Sequence, residues 1–237
     1  ATTFMDDSNS LIITVDGPAG AGKSTVSRRV ARELGLTYLN SGFIYRSVTL
    51  LVLESGGSFE DRALVESTIA GMDLRFVEDE GRTRVFLGDR DVTDRLKAPD
   101  VTPEIWRIAN DGGYRQLLID LQRRFAAPPG VVAEGRDMGT VIFPDADLKV
   151  YLDASAEERA RRSLGDLVAA GHDKSFEAVL RGIQERDQHD RGREHAPLVV
   201  PDGGVVVDTD GLDPGGVVSE LLELVRSRRA APQERER

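Results

Sequence analysis

The residues best suited to chemistry stand near the amino end. Gly17-Pro18-Ala19-Gly20-Ala21-Gly22-Lys23-Ser24 spells G-x-x-x-x-G-K-[ST] in full. Glycines let successive backbone N–H groups curl around an anion without Cβ clashes. The lysine reaches β- and γ-phosphates, and the hydroxyl after it suits Mg2+. The spelling therefore predicts a triphosphate loop formed by these eight residues and Thr25. ATP is the expected donor, Mg2+ the expected cofactor, Ser24 a metal ligand, and Asp16 a holder of metal-bound water.

Arginines form the second constellation. Arg46 closes Gly42-Phe43-Ile44-Tyr45-Arg46, and Arg136 lies in Glu134-Gly135-Arg136-Asp137. Each segment follows a short apolar run, Tyr38-Leu39 in one case and Val131 to Ala133 in the other. In an open parallel sheet, ligands sit beyond the carboxyl ends of the strands. Both arginines are thus placed to make forked bonds to a phosphate, although either one alone also fits a surface ion pair. Two denser clusters, Glu157 to Arg162 and Glu185 to Arg193, read equally as self-cancelling helical pairs, for example Glu157 with Arg161 and Glu158 with Arg162. Phosphoryl transfer, however, needs a basic lid that neutralises charge and excludes water. Segment 155–193 is the candidate for it.

The elements that must position these groups alternate. Leu11 to Val15 is a short apolar run entering the glycine loop, and reads as a buried parallel strand. Val26, Val30 and Leu34 recur every four residues before Gly35, which predicts a helix and its C-cap. Val131 to Ala133, Leu148 to Leu152 and Val205 to Val207 are further strand-like runs. Helices are expected over about 113–126, 155–170, 175–188 and 215–228. The alternation predicts an α/β fold, a parallel sheet flanked by helices. Residues 66–104 break the rhythm: Leu74 to Val77 and Arg84 to Leu87 flank Glu80-Gly81 like a hairpin. The expected organisation is a core of 1–65 and 105–237 with an insert at 66–104. Residues 1–4, ahead of Met5, are expected to be foreign to the chain, and the tail from Arg226 to Arg237 disordered.

Composition narrows the classes. The chain has 237 residues, and its net charge of -10 argues against a general nucleic-acid binder. It contains no cysteine, which excludes disulfide and thiol chemistry. No apolar run approaches the roughly 20 residues of a membrane span, and no signal-peptide pattern opens the chain. His172, His189 and His195 lack metal-ligand spacing. Lys97, Lys149 and Lys174 are not preceded by asparagine, so the guanine reader of GTPases is missing. The expected partners are small nucleotides, the expected state a monomer, the expected location the cytoplasm.

The motifs together resemble the bacterial cytidylate kinases of the nucleoside monophosphate kinase group. The resemblance rests on Asp16 to Ser24, Ser41-Gly-Phe-Ile-Tyr-Arg46, Glu134-Gly-Arg-Asp-Met-Gly-Thr140 with Phe143 to Ala146, Glu157 to Ala160, and the Glu185 to Arg193 cluster with Ala196-Pro197-Leu198. It runs from about Leu11 to Val225. It implies a five-stranded P-loop kinase core, a β-containing nucleotide insert and a helical lid. It also implies roles. Arg46, Arg136 and Arg193 would hold an acceptor phosphate. Asp190 would bond ribose hydroxyls with Arg186 and Ser41 beside it. Arg115 and Asp137 would read the pyrimidine edge. Arg159 and Arg162 would approach the triphosphate from the lid. With Lys23, the arginines Arg136, Arg159, Arg162 and Arg193 make the expected catalytic set.

Three positions depart from the family pattern: Asn40, Phe43 and Trp106, the last where the family places a serine near the base. They raise the expectation of a reshaped pocket lined by Trp106, and of CMP, dCMP or a modified cytidylate as acceptor. Two alternatives stay open: a kinase of the same fold with another small acceptor, and a nucleotide-dependent binding module without catalysis.

Overall fold

The computed structural model describes residues 10–79, 81–169 and 171–230. Residues 1–4, Glu80 of the expected hairpin turn and the tail beyond residue 230 lie outside them. The chain forms two compact units, one of residues up to Tyr38 and from Ala126 onward, the other of Leu39–Phe125.

In the first unit, strand β1 (Leu11–Asp16) leads through the glycine loop into α1 (Lys23–Leu34). Helix α1 ends at Gly35, whose φ of 67° lets the following N–H groups turn back on the last carbonyls. Strand β2 spans Thr37–Asn40. The chain re-enters this unit for β6 (Gly130–Gly135), a π-helical turn over Met138–Ile142, and β7 (Leu148–Asp153). Helices α6 (Ala156–Ala169) and α7 (Phe176–Arg191), strand β8 (Val205–Asp208) and α8 (Pro214–Ala230) complete it. The sheet is five-stranded and parallel, in the order β2-β6-β1-β7-β8. Strands β1 and β6 pair from Leu11 opposite Gly130 to Asp16 opposite Gly135, so the glycine loop and the Arg136 segment leave the sheet at the same level.

Ile13, Val15, Val132, Val150 and Leu152 of the strands pack with Val26 and Val30 of α1 and with Val217, Leu221 and Val225 of α8. That apolar face carries α8 through to Ala230, so Arg226 to Ala230 are helical where disorder was expected. Arg228 and Arg229 suit the negative end of the helix.

In the second unit, α2 (Ser41–Ser55) and α3 (Arg62–Ala70) precede an antiparallel sheet of β3 (Leu74–Asp79), β4 (Arg82–Leu87) and β5 (Arg90–Asp91). Helices α4 (Ile105–Ala109) and α5 (Gly112–Arg123) follow. The expected insert, 66–104, falls inside this unit. Its own small core joins Leu50, Val85, Val92, Leu96 and Val101, with Phe43 and Phe76 against it.

Candidate active site

Only glycine fits at the start of the phosphate loop. Gly17 has φ 145°, and a Cβ there would lie 2.0 Å from the carbonyl oxygen of Leu152. The loop thus rests directly on β7. Lys23 opens α1, buried, and its Nζ donates to the Pro18 carbonyl at 2.7 Å. Burial pushes its pKa from 10.5 down to about 7; Arg136 and Arg186 push the same way, while Glu134 and Asp16 oppose them. The like-charge effect places those two arginines within electrostatic range of the lysine.

Ser24 Oγ donates to Glu134 Oε1 at 2.6 Å, and the Tyr38 hydroxyl donates to the same oxygen at 2.9 Å. Glu134 is buried at the end of β6. A hydroxyl and a carboxylate side by side, next to the phosphate lysine, fit Mg2+, which is held by few protein oxygens and keeps several waters. Among the described residues, no group of three or more histidine, cysteine, aspartate or glutamate side chains could form an all-protein cage. Asp16 is fully buried, and its two carboxylate oxygens accept the backbone N–H groups of Met138 and Gly139, each at 2.8 Å. Burial raises its pKa from 3.8 to about 7 despite those bonds.

The expected acceptor arginines of the first unit converge. Arg136 Nε donates to Asp190 Oδ2 at 2.8 Å, and Arg193 Nη2 donates to Asp190 Oδ1. Burial would raise the Asp190 carboxyl, but Arg136, Arg193 and Arg186 outweigh it and hold its pKa below the usual value. Arg193 Nε is buried without a hydrogen-bond partner, a donor left for an anion. Asp137 is buried beside Arg136 where the π-helical turn begins. Arg186 is exposed on α7.

Arg159 and Arg162, the two arginines expected in the lid, both bond to protein groups. Arg159 is buried and gives its guanidinium to Asp187, Ala154 and Ala19. Arg162 bonds Glu158 at 3.0 Å and the side chain and carbonyl of Thr209 at 3.0 and 2.6 Å. Glu158 also takes Arg161 at 2.7 Å, so one carboxylate serves both arginines. Helices α6 and α7 pack through Ala160, Val179 and Ile183. Asp187 lies in the Glu185 to Arg193 cluster, but no spacing in the sequence pairs it with Arg159, or Asp16 with the amides that it accepts from.

In the second unit, Ser41 is buried at the first turn of α2. Arg46 donates to the Leu96 carbonyl at 3.0 Å and to Thr102 Oγ1 at 2.7 Å, and burial lowers its pKa. Arg115 is buried and donates to the Ala109 carbonyl at 3.2 Å. Two of the three unusual residues have local reasons. Asn40 caps α2 by accepting from the Phe43 N–H, and Phe43 packs 6.3 Å from the Phe76 ring. Trp106 is 50% exposed, with the Arg107 guanidinium 5.1 Å from its ring. It fills no core space.

A phosphate loop leaving a parallel sheet, with a buried lysine, a hydroxyl–carboxylate pair and arginines around it, defines a P-loop phosphotransferase. Residues 13–227 match the family described as cytidylate kinase. Relatives named cytidylate kinase include one from Carboxydothermus hydrogenoformans, 42% identical over 90% of this chain and 96% of that protein, and one from Saccharophagus degradans, 40% identical over 92% and 98%. A crystal structure of an uncharacterised protein from Eubacterium ventriosum matches the fold with a TM-score of 0.53 at 10% identity, over 92% of this chain and 99% of that one. The chain belongs to the cytidylate kinase family, and is a phosphotransferase of the nucleoside monophosphate kinase class. Among the described residues, no helix is long and apolar enough to cross a membrane.

Proposed function

We propose that this chain transfers the γ-phosphoryl group of ATP to the phosphate of CMP, dCMP or a modified cytidylate, giving ADP and the diphosphate. The observation that carries the reading is the gathering of charge in one unit: the Lys23 loop and the Arg136 segment leave paired strands at the same level, and Arg136 and Arg193 share Asp190. A donor phosphate site thus adjoins an anion site, as transfer between two phosphates requires. Similarity at about 40% identity to cytidylate kinases over nearly the whole chain disfavours both other acceptors and a catalytically silent binding module.

The acceptor phosphate is anionic at neutral pH and needs no general base. Positioning and charge neutralisation then carry the reaction. Lys23 holds the β- and γ-phosphates, with Gly17 to Thr25 cradling them. Ser24, with Glu134 and Asp16 through water, would hold Mg2+, which when bound neutralises charge on the transferring group. Arg136 and Arg193 orient the acceptor phosphate, Asp190 and Arg186 the ribose, and Asp137 accepts from the exocyclic amine. For Ser41, Arg46 and Arg115 the acceptor role rests on the family pattern, and for Trp106 on its standing where that pattern has a serine. The α6–α7 hairpin acts as a lid, with Arg162 as its basic contribution. A cytoplasmic monomer fits this chemistry.

The test is ADP release from Mg-ATP with CMP, dCMP and UMP as acceptors. CMP or dCMP should be used in preference to UMP. Lys23→Ala should lose about a hundredfold or more in kcat, since it removes a charge bridging the phosphates in the transition state. Activity of Lys23→Ala within twofold of the parent would remove the assigned loop.

A further inference from the structure

Arg159 and Asp187 form a well-enclosed ion pair away from the acceptor carboxylate Asp190. The Arg159 side chain is 3% exposed and that of Asp187 12%. The pairing is bidentate, Nη1 to Oδ1 at 2.9 Å and Nη2 to Oδ2 at 2.5 Å. Arg159 Nε donates to the Ala154 carbonyl at 2.9 Å, and Nη1 also donates to the Ala19 carbonyl at 3.1 Å. A guanidinium has five N–H donors, so four of them are engaged by protein oxygens. The trans peptide sends the Gly20 N–H opposite to the Ala19 carbonyl. Arg159 therefore grips the loop on its carbonyl side, away from the amide that would meet a phosphate. The approach is tight: a Cβ on Gly20 would lie 3.1 Å from the Arg159 Cβ.

One guanidinium thus ties three elements: the phosphate loop at Ala19, the entry to α6 at Ala154, and α7 at Asp187. Helix α7 is also the helix that carries Arg186 and Asp190, with Arg193 just past its end. Asp187 and Asp190 are three apart, so both face inward, one toward Arg159 and the other toward Arg136 and Arg193. Surface pairing on α6 does not explain this arrangement, since Arg161 and Arg162 find their carboxylate on α6 itself.

We propose that Asp187 is a positioning residue that acts through Arg159, the pair being a strut that holds the acceptor arginines at α7 in register with Lys23. The proposal rests on the phosphoryl-transfer reading of the same site. Neither member of the pair touches the reacting phosphates. Loss of the strut lets the donor and acceptor groups drift relative to one another, which costs rate in the bound complex more than it costs binding.

The test is a double-mutant cycle on the full chain: Asp187→Leu, Arg159→Met, and the two combined. Steady-state kinetics with Mg-ATP and CMP are read beside calorimetric ATP binding and thermal melting. Each single variant should lose about tenfold or more in kcat, with the ATP dissociation constant within about threefold of the parent. The double variant should melt no lower than the singles, because an apolar pair replaces an unpaired buried charge. Its kcat should be no lower than theirs, the non-additivity of two residues acting as one. A tenfold loss of ATP affinity in Arg159→Met but not in Asp187→Leu would make Arg159 a triphosphate ligand and overturn the strut. So would additive losses in kcat. If the parent turns over no cytidylate, the functional reading fails by itself, and the strut stands or falls on whether the melting temperatures couple.

Discussion

Nucleotide binding should be coupled to proton uptake at mildly alkaline pH, and Lys23 is the reason. Its Nζ lies buried against the Pro18 carbonyl, and burial with the charges of Arg136 and Arg186 lowers its pKa to about 7. At pH 8 only about one empty loop in ten carries a charged lysine. A bound triphosphate puts several negative charges beside that amine and restores the ammonium. Binding at pH 8 should therefore take up about 0.9 proton, and affinity should fall about tenfold per pH unit above 7. The ceiling on the effect is the return to the ordinary value of 10.5, worth about 5 kcal/mol. The assay is calorimetry of ATP binding at pH 8 in two buffers that differ in ionisation heat, whose difference counts the protons. Lys23→Met is the control, because it keeps the length and removes the amine. A heat independent of buffer, or an equal uptake in Lys23→Met, would refute the reasoning. The same linkage has a sign in folding. Below pH 7 the lysine is charged in both states, and burying it costs stability in full. From pH 7 to 10.5 the unfolded chain holds a proton that the folded one lacks, so the Lys23 contribution to stability improves as pH rises. Asp16, raised to about 7, acts oppositely: its contribution weakens between about pH 4 and 7.

Two other outcomes are expected. Arg136→Ala and Arg193→Ala should each cost about 2–4 kcal/mol in kcat/KM for the phosphorylated acceptor and leave ATP binding nearly unchanged; equal losses for both substrates would place the two arginines elsewhere. Trp106→Ser should raise kcat/KM for CMP about tenfold, or about 1.4 kcal/mol of transition-state binding, if the indole crowds the base; an unchanged value removes Trp106 from the acceptor reading.

The parts of the site legible in the sequence are those whose meaning is local. The phosphate loop is one: glycines, lysine and serine are adjacent, and the strand before and helix after them are read from the same stretch. The parallel core was legible for a related reason, since strands buried on both faces, such as Val131 to Ala133, are continuous apolar runs. What escaped are the partners chosen across the fold. Asp16 is placed beside the loop by the sequence, but nothing local says that its oxygens also accept amides more than a hundred residues away. Arg159 sits in a run of six residues with five charges, where helical self-pairing and ligand binding spell alike. Only the packing of α6 on α7 selects Asp187 for it. Phe43 and Asn40 looked like changes to a pocket because they flank Ser41. One caps a helix and the other fills the small core of the second unit, roles set by side-chain direction that a one-dimensional spacing does not carry.

The pairing of arginines with carboxylates also reconciles an acidic chain with an anion site. A net charge of -10 is spread over the whole molecule, but a ligand responds to the charges it can reach. Within reach of Lys23 and Asp190 stand Arg136 and Arg186, with Arg193 bonded to Asp190. Gathering guanidinium groups, two of them largely buried, with no anion between them would be costly, because like charges and desolvation both oppose it. Asp190 offsets that cost while the site is empty, being almost fully buried and bonded to Arg136 and Arg193 at once. A phosphate brings more negative charge and more acceptor oxygens than one carboxylate, so it can take over these donors and use the Arg193 Nε that lacks a partner. The carboxylate it displaces is then free to accept from hydroxyl groups. On the proposed reading, Arg186, Asp190 and Arg193 on a single helix and its end, with Arg136 from the end of β6, serve both states.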